Sequence, residues 1–240
     1  MSIKYSVVIP LKNEEGNVAD LIHELEPVMA ALHSPWELIC IDDGSTDQTL
    51  SILNGLAQAK QYLRIIVFES NFGQSSAFDA GFKNARGEFV ITLDGDRQND
   101  PADIPRLVDA IEGSDLVCGM REKRNDPWHK KVISYFANFI RSRVCKDGMR
   151  DTGCSLKIYR RACLERIKMF HGMHRFLPAL FKIEGFNIKQ IPVNHRERTK
   201  GKTKYNLWNR SFNTIADLLA VRWMHQRQLK YKIKKMATHD

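Results

Sequence analysis

The sequence is organised around one stretch, Ile-Thr-Leu-Asp-Gly-Asp-Arg-Gln-Asn-Asp-Pro, at residues 91–101. An apolar run at residues 89–93 stops at two carboxylates, Asp94 and Asp96, which Gly95 separates. Read as a strand, this run places both carboxylates just beyond its carboxyl end, where open α/β sheets bind their ligands. Paired carboxylates there can hold a hard divalent cation whose other ligands are waters and phosphate oxygens. A solvated Asp-Gly turn explains the same residues, so the stretch by itself leaves both interpretations open.

The residues before this stretch alternate between short apolar runs and amphipathic segments. The apolar runs at residues 5–10, 36–41, 64–68 and 89–93 are typical of buried strands. Helices between them imply right-handed crossovers and therefore an α/β fold with a mainly parallel sheet. Three of the strands end in polar pairs, which are Asn13/Glu14, Asp42/Asp43 and Asp94/Asp96. Because parallel order brings these ends to one edge, we predict a single site there.

Charge is distributed very unevenly along the chain. Residues 1–120 carry 8 Lys+Arg and 19 Asp+Glu, a net of −11, and residues 121–240 carry 29 and 9, a net of +20, which together give +9. An acidic half that can hold a metal, joined to a basic half, indicates a polyanionic partner. Nucleic acid, anionic lipid and a nucleotide diphosphate all satisfy this. Neither a Gly-x-Gly-x-x-Gly after the first strand nor a P-loop motif occurs, which argues against a dinucleotide enzyme or a P-loop NTPase.

The cysteines and the hydropathy point to a cytoplasmic protein. The five cysteines are scattered, odd in number and without metal-binding spacing, as expected of reduced thiols. The first residues enter a strand directly, so we expect no signal peptide. No apolar run reaches the roughly 18 residues of a membrane-spanning helix.

Four segments carry a resemblance to a known family. They are Val-Val-Ile-Pro-Leu-Lys-Asn-Glu (7–14), Ile-Asp-Asp-Gly-Ser-Thr-Asp (41–47), Asn-Phe-Gly-Gln (71–74) and Leu-Asp-Gly-Asp-Arg-Gln-Asn-Asp-Pro (93–101). In this order they resemble the consecutive motifs of family 2 glycosyltransferases. Residues 151–161 and the Arg-x-x-Gly-x-Thr-Lys loop at 198–204 resemble dolichyl-phosphate mannose synthases and bacterial undecaprenyl-phosphate sugar transferases. The resemblance implies the three-layer, Rossmann-like GT-A fold.

The resemblance also implies which residues bind the donor, a UDP- or GDP-sugar. The nucleotide-sugar set is Pro10, Lys12, Glu14, Ile41, Asp43, Gln74, Asp94, Gly95, Asp96, Arg121, Arg198 and Lys204. The implied ligands of Mg²⁺ or Mn²⁺ are Asp94, Asp96 and Gln98. The expected catalytic residues are Asp96, Arg121, Asp151, Arg198 and Lys204. The metal and the three basic residues would stabilise charge on the departing diphosphate.

The resemblance implies fewer residues for the acceptor site than for the donor site. Arg143 and Arg175 are the candidates for contact with an acceptor phosphate, and Lys157 stands near an arginine position of the family. Asp151 is a candidate base or acceptor-positioning group, and a helix cap is the structural alternative. His171 and His174 are three residues apart, but we do not expect metal binding, since no carboxylate stands beside them.

The tail departs from the bacterial relatives, which often continue into two transmembrane helices. Its helical apolar stripe consists of Trp208, Phe212, Ile215, Leu219 and Trp223, and a polybasic end follows. Such a helix suits the surface of an anionic membrane, although packing on the catalytic domain or on a second subunit explains it too. We expect a catalytic domain at 1–205, with a nucleotide-binding half at 1–120 and an acceptor half at 121–205, and an amphipathic tail at 206–240.

Together these features predict a metal-dependent, inverting transfer of sugar from a nucleotide sugar to a polyprenyl phosphate, at the cytoplasmic face of the inner membrane. A family 2 enzyme that glycosylates a lipid-A-like or other saccharide hydroxyl is the alternative. A basic nucleic-acid-binding protein is a third interpretation, but it lacks a nucleic-acid motif and leaves the three acidic strand ends unexplained. We therefore expect no nucleic-acid partner.

Overall fold

The computed structural model of this chain describes residues 2–121, 148–197, 207–229 and 231. Within these residues, seven strands form one sheet with helices on both faces. The strands are β1 (Tyr5–Leu11), β2 (Trp36–Asp42), β3 (Leu63–Val67), β4 (Phe89–Thr92), β5 (Leu116–Arg121), β6 (Lys157–Arg160) and β7 (Ile188–Val193). The predicted helix within residues 130–143 and its Arg143 lie outside the described residues.

The helices of the described residues alternate with the strands as the sequence predicts for the first half. They are α1 (Val18–Ala30), α2 (Thr49–Ala59), α3 (Gln74–Asn84), α4 (Ile104–Ala110), α5 (Arg161–Leu164), α6 (Leu177–Ile183) and α7 (Leu207–Arg227). Two short 3-10 helices, Pro101–Asp103 and Met173–Arg175, begin α4 and precede α6.

The sheet has the strand order β3-β2-β1-β4-β6-β5-β7. Every pairing is parallel except the two pairings of β6, which runs antiparallel between β4 and β5. The prediction of a mainly parallel sheet is therefore confirmed. The antiparallel strand was not anticipated, because the residues of β6 lie far along the chain from both of its neighbours.

Two apolar cores cover the two faces of the sheet. The alternation of β1 shows the division, since Val7 and Ile9 belong to the core under α1 and α2, and Val8 belongs to the core under α3 and α6. These three layers confirm the predicted α/β architecture. They also leave the carboxyl ends of β1, β2, β4, β5 and β7 together at one edge of the sheet, since these strands share one direction.

Helix α7 packs on the rest of the protein through one of its faces. Leu218, Val221 and Met224 lie against the small apolar cluster that includes Leu180 and Ile183 of α6. In the part of the chain that the structure describes, no helix is both long enough and apolar enough to cross a bilayer. The division of the chain at residue 205 stays a prediction.

A pair of glycine substitutions tests the packing of α3 on the sheet. A Cβ atom at Gly81 would lie 2.3 Å from Val8 Cγ1, whereas a Cβ atom at Gly55 in α2 would meet nothing within 4 Å. We expect Gly81→Ala to lower the free energy of unfolding by about 1–3 kcal/mol, as overpacking does. Gly55→Ala should raise it by roughly 0.5–1 kcal/mol, since alanine favours the helix. Urea unfolding of both variants measures this difference, and equal stabilities would contradict the described contact.

Candidate active site

The turn after β4 is held by neighbours from several elements. Gln74 Nε2 donates to Asp94 Oδ1 at 2.8 Å, and the Asp94 N–H donates to Asn99 Oδ1 at 3.2 Å. A Cβ atom on Gly95 would lie 2.5 Å from Leu11 Cδ2, so glycine lets this turn approach the end of β1 closely. The turn is therefore fixed against β1 and α3, and Asp94 faces the common edge of the strands.

The electrostatics of this turn suit a cation. Burial raises the pKa of Asp94 above its usual value, and the nearby charge of Asp96 raises it further. Ser155, Lys157 and Arg121 act in the opposite direction. A divalent cation would relieve the repulsion between the two carboxylates, and carboxylate oxygens are the ligands that Mg²⁺ and Mn²⁺ prefer.

The metal ligands predicted from the sequence include only two carboxylates. Gln98 supports Asp96 through its backbone, since its N–H donates to Asp96 Oδ1 at 3.1 Å. Within the described ranges, no group of three or more His, Cys, Asp and Glu side chains could hold a metal ion. Waters and the diphosphate oxygens of a nucleotide sugar could supply the other ligands of a cation held by Asp94 and Asp96.

The strand-end residues of β1 and β2 hold loops in place. Asp43 accepts the N–H of Phe72 at 2.7 Å and the N–H of Gly73 at 3.0 Å. The side chain of Asn17 donates to Glu14 Oε2 at 2.8 Å, and Lys12 Nζ donates to the carbonyl of Gly44. Asp43, Glu14 and Lys12 therefore shape the loops around the expected nucleoside position.

Pro10 and Ile41 occupy different environments at this end of the sheet. Pro10 is partly exposed in β1, whereas the Ile41 side chain is completely buried in the core under α3. Because the side chain of Ile41 packs inside the protein, the expected contact of Ile41 with a nucleoside would use its backbone, and this contact stays a prediction.

Arg121 and Asp151 form a bidentate ion pair at the end of β5. Arg121 Nε lies 2.7 Å from Asp151 Oδ2, and Arg121 Nη2 lies 2.9 Å from Asp151 Oδ1. The N–H groups of Arg121 and Gly153 also donate to this carboxylate, at 3.2 and 3.0 Å. A Cβ atom on Gly153 would lie 2.7 Å from Arg121 Nη2, so glycine makes room for the pair.

These contacts decide the chemical character of Asp151. Burial acts to raise its pKa, but the hydrogen bonds and the charge of Arg121 outweigh burial and hold the pKa of Asp151 below its usual value. A carboxylate of lowered pKa that already accepts four hydrogen bonds is a poor proton acceptor. These contacts favour a positioning role for Asp151 over the role of a general base, which stays a prediction. The helix cap is wrong, because no helix begins there.

Three residues near Asp94 were not among the predicted site residues. Lys157 is buried at the start of β6, where its Nζ donates to the carbonyl of Cys154. Ser155 Oγ donates to Asn99 Oδ1 at 2.6 Å, and Asn99 in turn accepts the N–H of Asp94. The signal in the sequence was a lysine between Leu156 and Ile158, since buried lysines are rare unless they are paired.

Arg97 is paired with two carboxylates of α1. Its Nη1 lies 2.6 Å from Asp20 Oδ2, and its Nη2 bonds Glu24, both on α1. Its backbone has a φ of +59°, a left-handed conformation that residues other than glycine rarely adopt. The side chain between the two predicted metal ligands Asp96 and Gln98 is thus an anchor to α1.

The predicted acceptor residue Arg175 lies beside the C-terminal helix. Burial raises the pKa of Asp217 in α7, and the charges of Arg175 and His171 partly offset this. Next to it, His174 Nδ1 lies 2.6 Å from Ser75 Oγ at the start of α3. The turn at 172–175 therefore joins α3 to α7. Arg143, Arg198 and Lys204 lie outside the described residues.

Comparisons with known proteins identify the family. The family described as "Glycosyl transferase family 2" matches residues 6–168. A curated relative, dodecaprenyl-phosphate galacturonate synthase of Rhizobium johnstonii, is 38% identical over 97% of this chain and 69% of its own.

Solved structures share the fold at low sequence identity. Glucosyl-3-phosphoglycerate synthase from Mycobacterium tuberculosis, in complex with Mn²⁺, UDP and phosphoglyceric acid, has a TM-score of 0.72 at 21% identity over 92% of this chain and 78% of that chain. S. aureus TarS 1-349 in complex with UDP-GlcNAc has a TM-score of 0.61 at 22% identity over 92% of this chain and 66% of that chain. The match of the family to more than half of the chain, together with the curated relative, shows that this protein belongs to glycosyltransferase family 2.

Proposed function

We propose that this glycosyltransferase moves a sugar from a nucleotide sugar to a polyprenyl phosphate, with inversion at the anomeric carbon. The observation that carries the proposal is the pairing of Asp151 with Arg121, which favours a positioning role for that carboxylate over a role as a base. The curated relative, whose name gives a dodecaprenyl-phosphate product, supports the same acceptor class.

The pairing of Asp151 with Arg121 favours a phosphate acceptor over a hydroxyl acceptor. A phosphate monoester has a second pKa of about 6, so its oxygen is already largely anionic at neutral pH. That oxygen donates an electron pair to the anomeric carbon as the bond from this carbon to the donor diphosphate breaks. The step needs no proton removal. A saccharide hydroxyl would have to lose a proton, which requires a base.

The other residues of the site would stabilise the negative charge that develops on the departing diphosphate. Asp94 and Asp96 would hold Mg²⁺ or Mn²⁺, which supplies positive charge to the departing diphosphate. Arg121 adds a fixed positive charge at the same edge, and Asp151 holds its guanidinium in one orientation. The positive charge of Lys157 partly offsets the negative charge of Asp94. Arg198 and Lys204 keep their proposed contact with the donor diphosphate.

Transfer of a labelled sugar tests this function directly. The enzyme is incubated with Mn²⁺, undecaprenyl phosphate and a panel of labelled UDP- and GDP-sugars, and the organic-phase label is measured. We expect label with one donor, and none when undecaprenol replaces its phosphate. Label that appears only on a lipid-A-like saccharide would establish the alternative acceptor.

The Asp96→Asn variant tests the metal assignment. This change removes one charge while keeping the side-chain volume, so we expect loss of Mn²⁺-dependent transfer with an unchanged unfolding curve. Transfer rates measured across a Mn²⁺ titration check the prediction. Asp79→Asn serves as the matched control, since Asp79 pairs with Lys83 on the outer side of α3. Full activity of Asp96→Asn in the presence of EDTA would refute the assignment.

The Asp151→Asn variant distinguishes a role of Asp151 in positioning Arg121 from a role as a general base. We expect up to about a 100-fold fall in kcat, because a misplaced Arg121 no longer meets the developing charge. The pH profile of the remaining activity should keep the shape of the wild-type profile. A lost acidic limb in that profile would instead show that Asp151 transfers a proton.

We further propose that α7 brings the enzyme to the cytoplasmic face of the inner membrane. Its outward face carries Ile215, Leu219 and Trp223, which are 55%, 59% and 62% exposed. Arg222 and Arg227 are exposed on the same helix. Aromatic and aliphatic side chains beside basic ones suit an anionic lipid surface, which is also where a polyprenyl phosphate resides.

Substitution on this face tests the membrane contact without disturbing the core. We expect Leu219→Ser with Trp223→Ser to reduce co-sedimentation with vesicles of anionic phospholipid several-fold, because each lost side chain removes buried apolar area. Val67→Ser is the control, since Val67 is 51% exposed on the edge strand β3. If the double variant binds vesicles like wild type but changes from dimer to monomer, a second subunit covers this face.

A further inference from the structure

We propose that Glu24 of α1 is a positioning residue that fixes the metal-binding turn to the segment leaving β7. This inference rests on the proposed function, since it takes the turn at Asp94 and Asp96 as the donor-binding element. The residue is 30% exposed in its side chain and lies outside all the motifs that the sequence offers.

Glu24 joins two arginines from different parts of the chain. One of its oxygens accepts a hydrogen bond from Arg97 Nη2, and the other lies 2.6 Å from Arg196 Nη1. Arg196 Nη2 continues to Asp100 Oδ1 at 2.7 Å. The carboxylate of Glu24 is thus shared between the turn after β4 and the segment after β7.

Backbone contacts show that these two segments form one unit. The Arg196 N–H donates to the carbonyl of Gln98 at 2.9 Å, and Asn99 pairs with His195 in an isolated β-bridge. The Asn194 N–H donates to Asp103 Oδ2 at 2.7 Å. A change in the position of Arg97 or Arg196 therefore reaches Gln98, whose N–H donates to Asp96, and Asn99, which accepts the N–H of Asp94.

The charge of Glu24 and the backbone of Arg97 indicate why Glu24 is needed to hold the turn. Burial acts to raise its pKa, yet the hydrogen bonds from Arg97 and Arg196 hold the pKa of Glu24 below its usual value. Glu24 is therefore ionised at neutral pH and holds both guanidinium groups. Arg97 also sits in a left-handed conformation that its own backbone does not favour, so its side-chain contacts must maintain it.

The experiment compares Glu24→Gln and Arg97→Gly with the control Glu26→Gln. Glu26 is on the same helix and also pairs with a basic residue, Lys60, but away from the site. Glycine at position 97 accepts the left-handed backbone, so this variant folds while it loses the anchor. Mn²⁺ binding in the presence of UDP or GDP is followed by electron paramagnetic resonance, and transfer kinetics give both KM values.

We expect Glu24→Gln and Arg97→Gly each to weaken Mn²⁺ binding about 10-fold, as loss of an outer-shell partner does. The KM for the donor should rise in parallel, with the KM for undecaprenyl phosphate unchanged. The double variant should lose less than the sum of the two single effects, since the two changes share the connection between Glu24 and Arg97. Glu26→Gln should behave as wild type.

The outcomes distinguish the inference from the function on which it rests. Wild-type protein that binds no Mn²⁺ with either nucleotide overturns the proposed metal site, and the inference with it. Wild-type binding that is unchanged in both Glu24→Gln and Arg97→Gly overturns the inference alone. Effects that add in the double variant would show that Glu24 and Arg97 act separately, which also contradicts it.

Discussion

Crowding of negative charge at one edge of the sheet is the constraint on which the site depends. Parallel strands that end together bring their carboxylates together, and like charges at short range repel. Specific contacts offset this repulsion. Arg121 forms an ion pair with Asp151, and Arg97 and Arg196 form ion pairs with Glu24. Backbone N–H groups donate to Asp43. The edge is therefore a set of held carboxylates whose positions are fixed before any ligand binds.

The contacts of these carboxylates show which of them have a structural role and which are suited to bind a ligand. Asp43 is satisfied by backbone donors, and Asp151 is satisfied by a guanidinium. Asp94 and Asp96, in contrast, repel each other, although Gln74 donates to Asp94 and the N–H of Gln98 donates to Asp96. This difference separates the carboxylates that shape loops from the pair suited to a cation and a diphosphate. Preorganised charge of this kind favours a reaction in which negative charge moves onto a leaving group.

The sequence predicts local features of this protein well and long-range contacts poorly. Strands near residues 5–11, 36–42 and 89–92 follow from short apolar runs, and their shared edge follows from the alternation with helices. The antiparallel β6 was missed, because strand order depends on partners distant in the chain. For the same reason the burial of the Ile41 side chain under α3 was not anticipated, and Arg97 was left without a role, although two carboxylates of α1 hold it.

The insertion of β6 between β4 and β5 has a consequence for how the sheet is completed. β1 to β4 pair with one another within residues 5–92, but the second edge of β4 is filled only by residues 157–160. Until those residues leave the ribosome, β4 presents an unpaired and apolar edge, the kind of surface that pairs wrongly with other chains. Completion of the sheet is thus a late, non-local event in synthesis, and the same event brings Lys157 beside Asp94. A nascent chain that stops short of β6 would expose both the edge and an unbalanced pair of carboxylates.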